Sequence, residues 1–530
     1  MSVAFHDSRK TFTLLIDLLK MLLPSHKLGL FPSVSFSTSV LLLLIICLFL
    51  LQWRNEIRDY LNRRSVMMKF AEELPGPPTL PIVGNALELM ESDRTVYILT
   101  EISRQVRAAT YRFWMGPSLK LIVADPRDLE IMLLSSKASK KDDFYELMHL
   151  AVRDGLINSF GPTYRAHKKL FLNFINNNFL MKIYIEHFNK QSRIFVERLE
   201  TQVNQPEFNM QDFFEHCIGD IVFETIYGLP GTAQRGQVSP FFELADVALH
   251  ITFERFMKPW LWPDFMFFLT PSGRKCRRIV KEAHAFIDNE VKKKREKFRA
   301  LNRDVRDDSW SIFDLIIDHV ESTNEWTNEE IRDEIITVYI GAHDTLVGTG
   351  CFVLLMLAMH PDVQEKAREE INNIVGNHDV TETEIGKLKY LEMIIRETIR
   401  LFPVGAVIGR KTTGELKLAT CTVPKDCSLF VLLYALHRDP KYWMNPEKFD
   451  PDRFSPENSR NRHPYAFIPF SGGSRSCPGN KFALTCLKVI LSHTLRNFRL
   501  QTTQNLETLR VHTHISSRSL EGYQVSLTKI

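Results

Sequence analysis

One cysteine, Cys477, stands in the run Phe470-Ser-Gly-Gly-Ser-Arg-Ser-Cys-Pro-Gly479, just ahead of a helix predicted to begin near Asn480. Amides of a tight glycine-rich loop and the positive end of a helix both stabilise a thiolate. Arg475 adds a cation two residues away. Such a sulfur could be a nucleophile or an axial metal ligand, although no convincing His–acid motif accompanies it. A second signal is Gly341-Ala-His-Asp-Thr345, an acid next to an alcohol inside a long helical pattern. A mid-helix Thr hydroxyl commonly bonds back to the i−4 carbonyl, here Gly341, so the pair alone reads as structural. A third is Glu397-Thr-Ile-Arg400, whose i and i+3 side chains share a helix face. Alone, that spacing usually marks a surface salt bridge.

These residues need elements to hold them. Periodicity predicts a helix from about Asn328 to Met359, opened by a Thr327–Glu330 capping box and stopped after His360 by Pro361. At 1.5 Å per residue it is about 48 Å long and should cross the whole body. Pro361 opens a charged helix to about Gly376, and another helix runs from roughly Lys389 to Phe402. Residues 109–125 predict a hairpin turning at Pro117, with short strand-like runs near 427–434 and at the C-terminus. The expected fold is mainly α with small β-sheets.

Composition bounds the rest. The chain has 530 residues, 44% hydrophobic and 25% charged, which excludes a largely disordered, collagen-like or multi-span protein. A length prior alone gives about three or four domains, yet no repeat or low-complexity linker follows residue 81. One large domain over 82–530 is therefore expected. Phe is abundant, 37 residues against 13 Tyr and 7 Trp, which suits a large apolar core or a bulky apolar ligand. Eight scattered Cys form no C-x-x-C pair, so reduced thiols in a cytosol-facing body are expected. A net charge of +4 is too small to argue for nucleic acid. The basic run Lys292–Arg295, flanked by Glu290 and Glu296, reads as a solvated helix face.

Val34 to Trp53 is uncharged over twenty residues, enough to cross a hydrocarbon core of about 30 Å. Arg54, Arg58, Arg63, Arg64 and Lys69 follow it and place the C-terminal side in the cytosol. The long apolar core and the basic flank argue against a cleaved signal peptide. Residues 1–33 form an extension without an assigned role. Residues 54–81 read as a basic flank and a rigid hinge, because Pro75, Pro77 and Pro78 admit neither helix interior nor central strand.

Taken together, the chain resembles the cytochrome P450 family, microsomal type. Phe470, Gly473, Arg475, Cys477 and Gly479 meet the pattern F-x-x-G-x-R-x-C-x-G in full. Glu397–Arg400 matches E-x-x-R, with Pro451-Asp-Arg453-Phe454 and His437-Arg-Asp-Pro440 downstream in the family's order. The resemblance runs from about Pro75 to the C-terminus. It is nearest to the clan of the fatty-acid hydroxylases and related insect enzymes. It implies a P450 fold with a single N-terminal transmembrane helix and haem b held through the Cys477 thiolate, which pushes electron density toward O–O cleavage. Arg475 and Arg410 would pair with the haem propionates. Phe470 would shield the thiolate, and Gly473 and Gly479 would let backbone amides approach the sulfur. Glu397, Arg400 and Arg453 would form a buried cluster on the haem side. Thr345 would open a groove for dioxygen and Asp344 would relay protons through water.

The chain also departs from the pattern. Ala342 replaces the usual second glycine of [AG]-G-x-D-T, so its methyl would crowd the groove. Gly341 stands where related hydroxylases carry a haem-esterifying Glu, so no covalent link is expected there. Tyr164-Arg-Ala-His-Lys168 replaces W-x-x-x-R, leaving Tyr164 and Lys168 to meet a propionate without the bidentate fork of Arg. Phe241 to Thr270 is aromatic-rich and would roof an apolar pocket, with Trp260, Trp262, Phe265, Phe267 and Phe268 divided between core and membrane-dipping surface. The implied activity is insertion of one oxygen atom of O2 into a fatty acid, terpenoid, steroid or xenobiotic. Electrons would come from NADPH through a separate cytochrome P450 reductase, with cytochrome b5 as a further donor. The implied location is the endoplasmic reticulum membrane, single-pass and cytosol-facing. A haem–thiolate isomerase or dehydratase is a weaker reading, since such relatives typically lose the acid–alcohol pair. A haem-based sensor or ligand carrier is a third.

Overall fold

The computed structural model describes residues 52–89, 93–300, 310–513 and 516–530. The extension at 1–33 and nearly all of the expected membrane segment, 34–51, lie outside them. The chain divides into two compact units, Met1–Ser65 and Val66–Ile530. Arg54–Glu72 is a helix carrying the basic flank, and Leu74–Pro78 after it is non-helical.

The larger unit is mostly helical. Seven helices matter here: α1 (Gly161–Ile175), α2 (Gln211–Val222), α3 (Pro240–Met257), α4 (Pro271–Ala300), α5 (Asn328–Met359), α6 (Lys389–Leu401) and α7 (Asn480–Asn497). The capping box at the start of α5 forms in both directions between Thr327 and Glu330. Its 32 residues span about 48 Å. Helices α2, α4, α6 and α7 all pack against it. That explains an apolar pattern on every side: α5 is long and apolar enough to cross a membrane, yet most of it is buried in protein. The core around it is aliphatic and Phe-rich, with Phe352 stacked on Phe402 at 4.3 Å.

A five-stranded sheet flanks the helices. Its strands are β1 (Thr110–Met115), β2 (Ser118–Val123), β3 (Lys140–Lys141), β4 (Val407–Lys411) and β5 (Ser428–Leu432), in the order β1-β2-β5-β4-β3. β1 and β2 form the predicted hairpin, with Met115 opposite Ser118 across Gly116-Pro117. Gly116 at φ +57° supplies the left-handed residue such a two-residue turn requires. β2 and β5 are parallel, and β4 pairs antiparallel with both its neighbours. A separate C-terminal hairpin joins β6 (Val511–Thr513) to β7 (Ser517–Ser519).

The basic run in α4 is engaged within the chain. Lys294 pairs with Asp314 at 2.6 Å, Arg295 with Glu321 at 2.5 Å and Lys293 with Glu290 at 2.8 Å. The seven described cysteines are all free thiols.

Candidate active site

The cysteine loop is held by glycine and by backbone. Gly473 sits at φ +65°, and a Cβ there would lie 1.9 Å from the Leu133 carbonyl oxygen. Only glycine satisfies both constraints. The Cys477 amide donates to the Phe470 carbonyl at 2.8 Å, closing the loop, and α7 starts three residues later. Phe470 itself is half-buried against the main core. The Cys477 side chain is exposed, yet burial pushes its thiol up; the Gly479 amide and the Lys168 and Lys141 cations pull it back. These facts agree for a sulfur packed behind and open in front. A Cβ on Gly479 would stand 3.9 Å from that sulfur, so the backbone approaches it closely.

Cations gather around this loop. Arg475 is buried, its guanidinium stacks 3.7 Å over the Tyr164 ring, and none of its three side-chain nitrogens has a hydrogen-bond partner. Arg410 on β4 is buried too, donating to the Gly409 carbonyl and, at 3.1 Å, to Ser471 Oγ. Lys141 on β3 lies opposite Arg410 in register, with its Nζ 4.1 Å over the Tyr145 ring. Burial, with Arg410 and Arg475 nearby, pushes Lys141 well below its ordinary value, against the pull of Cys477. The sequence did not suggest Lys141, because Lys140-Lys141-Asp142-Asp143 reads as a self-neutralising run. An unmatched buried guanidinium is costly. A group bringing carboxylates next to a thiolate-bound metal fits these residues, as the propionates and iron of haem do.

Tyr164 and Lys168 face the cysteine loop. They sit one turn apart on α1 and spend their donors on the loop. Tyr164 Oη donates to the Ser474 carbonyl at 2.9 Å, and Lys168 Nζ to the Ser474 and Ser476 carbonyls, both at 2.8 Å. The reason is local: the turn at Gly473–Arg475 leaves these carbonyls unpaired, and a flexible ammonium can satisfy two of them. Burial, with Arg475 and Arg410 nearby, lowers Lys168 to about 8 despite the raising effect of Cys477.

A pH dependence follows from that shift. Lys168 carries its charge below about pH 8 and loses it above. The Cys477 thiolate beside it favours the charged form, so the attraction is present at lower pH and is lost as pH rises through about 8. In haem titrations of the apo-chain the advantage of the unaltered chain over Lys168→Met should shrink by up to about tenfold between pH 7 and 9, the ionisation of Cys477 being common to both. An advantage that does not change with pH would contradict the assignment.

The middle of α5 opens onto space. From Ile331 to Ala358 the helix is nearly all buried, but Gly341 is exposed and Ala342, Asp344 and Thr345 are half-buried. A Cβ on Gly341 would meet nothing within 4 Å. Thr345 Oγ1 donates to the Gly341 carbonyl at 2.7 Å. Asp344 Oδ1 accepts from Arg518 Nη2 on β7 at 2.5 Å. The sequence gives no sign of this role for Arg518, because its pairing with Asp344 depends on the fold.

The structure brings Glu397, Arg400 and Arg453 together. Arg400 donates to both Glu397 oxygens at 2.7 and 2.8 Å, and Arg453 Nε lies 3.3 Å from Oε1. Both members of the Glu397–Arg400 pair are fully buried. Arg400 also donates to the His437 and Pro446 carbonyls, and Asp450 N donates to Glu397. The cluster thereby ties α6 to three loop segments. His437 Nε2 accepts from Ile468 N, and burial among Arg400 and Arg438 holds that imidazole neutral.

In the aromatic-rich segment Phe241, Phe242, Phe253, Phe256 and Phe267 are core, whereas Trp260, Phe265 and Leu269 are exposed.

Comparison with known proteins bears on the family and the fold. The cytochrome P450 family model matches residues 74–524. "Probable cytochrome P450 4aa1" of Drosophila melanogaster is 32% identical over 497 residues, covering 92% of this chain and 95% of the relative. "Cytochrome P450 4V2" of Homo sapiens is 31% identical over 465 residues, covering 85% of this chain and 88% of the relative. The crystal structure of the cytochrome P450DA heme domain superposes with a TM-score of 0.75 at 22% identity, over 86% of this chain and 98% of that one, which establishes the fold.

Proposed function

The chain belongs to the cytochrome P450 family and is a haem-dependent monooxygenase, and from that premise we propose which residues do the work and on what. Cys477 would ligate the haem iron through its thiolate, and Arg475, Arg410 and Lys141 would hold the propionates. The observation that carries this is the buried Arg475 guanidinium, three nitrogens without a partner beside an open thiol. When bound, the haem supplies reductive activation of O2, with one oxygen atom going into substrate and the other to water. Around it the chain acts by position and by protons. Tyr164 and Lys168 fix the loop carbonyls, and the Gly479 amide tempers the sulfur. Thr345 and Asp344, on the open face of α5, hold and pass protons. Gly341 offers no carboxylate, so the haem stays non-covalent.

The substrate is an apolar small molecule: fatty acid, terpenoid, steroid or xenobiotic. The Phe-rich core and the exposed Trp260, Phe265 and Leu269 support delivery from a lipid surface. Electrons come from NADPH through a separate reductase, with cytochrome b5 as an additional donor. The chain sits in the endoplasmic reticulum membrane by its 34–53 segment, its catalytic unit in the cytosol. The acid–alcohol pair favours oxygenation over isomerase chemistry, which needs no proton relay for O2.

The test is turnover of a panel of apolar compounds by the full chain with reductase, NADPH and 18O2. One labelled oxygen per product molecule is expected. Rearrangement of a hydroperoxide without NADPH, and no labelled product from any compound, would overturn the reading.

A further inference from the structure

Arg518 reaches α5 from the C-terminal hairpin, 174 residues along the chain from Asp344. One nitrogen, Nη2, donates both to Asp344 Oδ1 at 2.5 Å and to the Asp344 main-chain carbonyl at 2.9 Å. A single guanidinium thus grips the side chain and backbone of the same residue. Such a double hold restricts carboxylate rotation far more than a surface pair does. It leaves Asp344 Oδ2 buried with no hydrogen-bond partner, and likewise Arg518 Nη1. The berth for Nη1 exists because residue 348 is glycine: a Cβ there would lie 2.1 Å from Nη1. Gly348 is on α5, one turn beyond Asp344, so helix and hairpin are shaped to each other at this point.

Other charges press on the same place. Glu215 on α2 and Asp246 on α3 are within electrostatic reach of Asp344 and Arg518; burial first raises both, then repulsion from Asp344 and, for Glu215, also from Asp246. The His343 ring, edge-on to Phe242 at 4.4 Å and stacked on Tyr339 at 5.3 Å, closes one side. Without the guanidinium, three carboxylates would crowd a poorly hydrated space, and Asp344 would turn away from its neighbours.

We propose that Arg518, seated against Gly348, is the positioning residue for Asp344 in proton delivery, keeping Oδ2 free and aimed while Oδ1 is pinned. This rests on the reading of Asp344 as the proton carrier. The reaction consumes O2, two electrons and two protons; Arg518 stays protonated throughout and contributes none of them. The protons pass over Asp344 from solvent and both end in the water formed, while the hydrogen of the product hydroxyl comes from the substrate C–H bond that is broken.

Four variants of the haem-loaded full chain test it: Arg518→Met, Arg518→Lys, Gly348→Ala and Asp344→Asn. Product formed per NADPH should fall at least about tenfold in Arg518→Met, the scale of a charge-assisted hydrogen bond. The solvent isotope effect on turnover should rise with it. Arg518→Lys should recover part, since an ammonium still offers a charge but in a different geometry. Gly348→Ala should uncouple turnover in the same direction with every charge retained, because the added methyl displaces the guanidinium. A readout independent of turnover is the thermal midpoint: losses in Arg518→Met and Asp344→Asn should not add in the double variant. Strict additivity, or unchanged coupling in both Arg518→Met and Gly348→Ala while Asp344→Asn is uncoupled, would overturn the role of Arg518 alone. Unchanged coupling and isotope effect in Asp344→Asn would overturn the reading of Asp344 itself.

Discussion

Cys477→Ser protein, reduced under carbon monoxide, should show no strongly red-shifted Soret band, and its turnover should fall by far more than the roughly 10–100-fold typical of losing an outer-shell partner. The change is close to isosteric. The amide hydrogen bond from residue 477 to the Phe470 carbonyl uses backbone and survives it, as do the Lys168 bonds to Ser474 and Ser476. The loop should therefore keep its shape. What changes is the donor: a polarizable thiolate gives way to an alcohol that stays protonated, and the electron push toward O–O cleavage goes with it. The Gly479 amide and the Lys168 and Lys141 cations favour a charged sulfur and have nothing to stabilise on a neutral hydroxyl. Retention of the red-shifted band in Cys477→Ser would mean that some other residue binds the iron. The measurement is one difference spectrum on purified protein, with circular dichroism to establish that the fold persists.

Glu397→Gln should be the most destabilising single change in the chain's polar core. Removing the charge leaves Arg400, fully buried, and Arg453, nearly so, without their carboxylate. Breaking a buried pair in this way costs about 3–5 kcal/mol, against a total stability of roughly 5–15 kcal/mol for a typical domain. Most of the protein should then fail to incorporate haem at 37 °C, and the remainder should unfold at a lower temperature. Arg400 also serves the His437 and Pro446 carbonyls, so its displacement would release the segments that lead to the cysteine loop. A control lies at the surface: Glu200 pairs with Lys529 at 2.7 Å with both side chains exposed, and Glu200→Gln should cost at most about 1 kcal/mol. Thermal denaturation of the two variants side by side decides the matter. Equal losses would reduce the cluster to an ordinary ion pair.

The chemistry-bearing motifs were legible because each is compact in the chain. A ten-residue loop carries Cys477 with its glycines, and one turn of α6 carries Glu397 and Arg400. The long helix could be read from its capping box and its closing proline, down to the ends at Asn328 and Met359. Periodicity also foresaw the hairpin at 110–123, where a two-residue turn needs a glycine or its equivalent.

What no local pattern could carry were partnerships between distant residues. Lys141 becomes part of the cationic ring only through antiparallel pairing of β3 with β4, which sets it opposite Arg410. Tyr164 and Lys168 support the loop as no local pattern foretold, because the fold brings α1 beneath carbonyls that the Gly473 turn leaves unpaired. Arg518 meets Asp344 only because the C-terminal hairpin folds back onto α5 beside a glycine. By itself the sequence determined which residues are candidates for chemistry and which helices carry them, since propensity, capping and loop conformation act over a few residues. Tertiary structure alone decided which charges face one another, since burial and Coulomb attraction depend on distance in space and not along the chain.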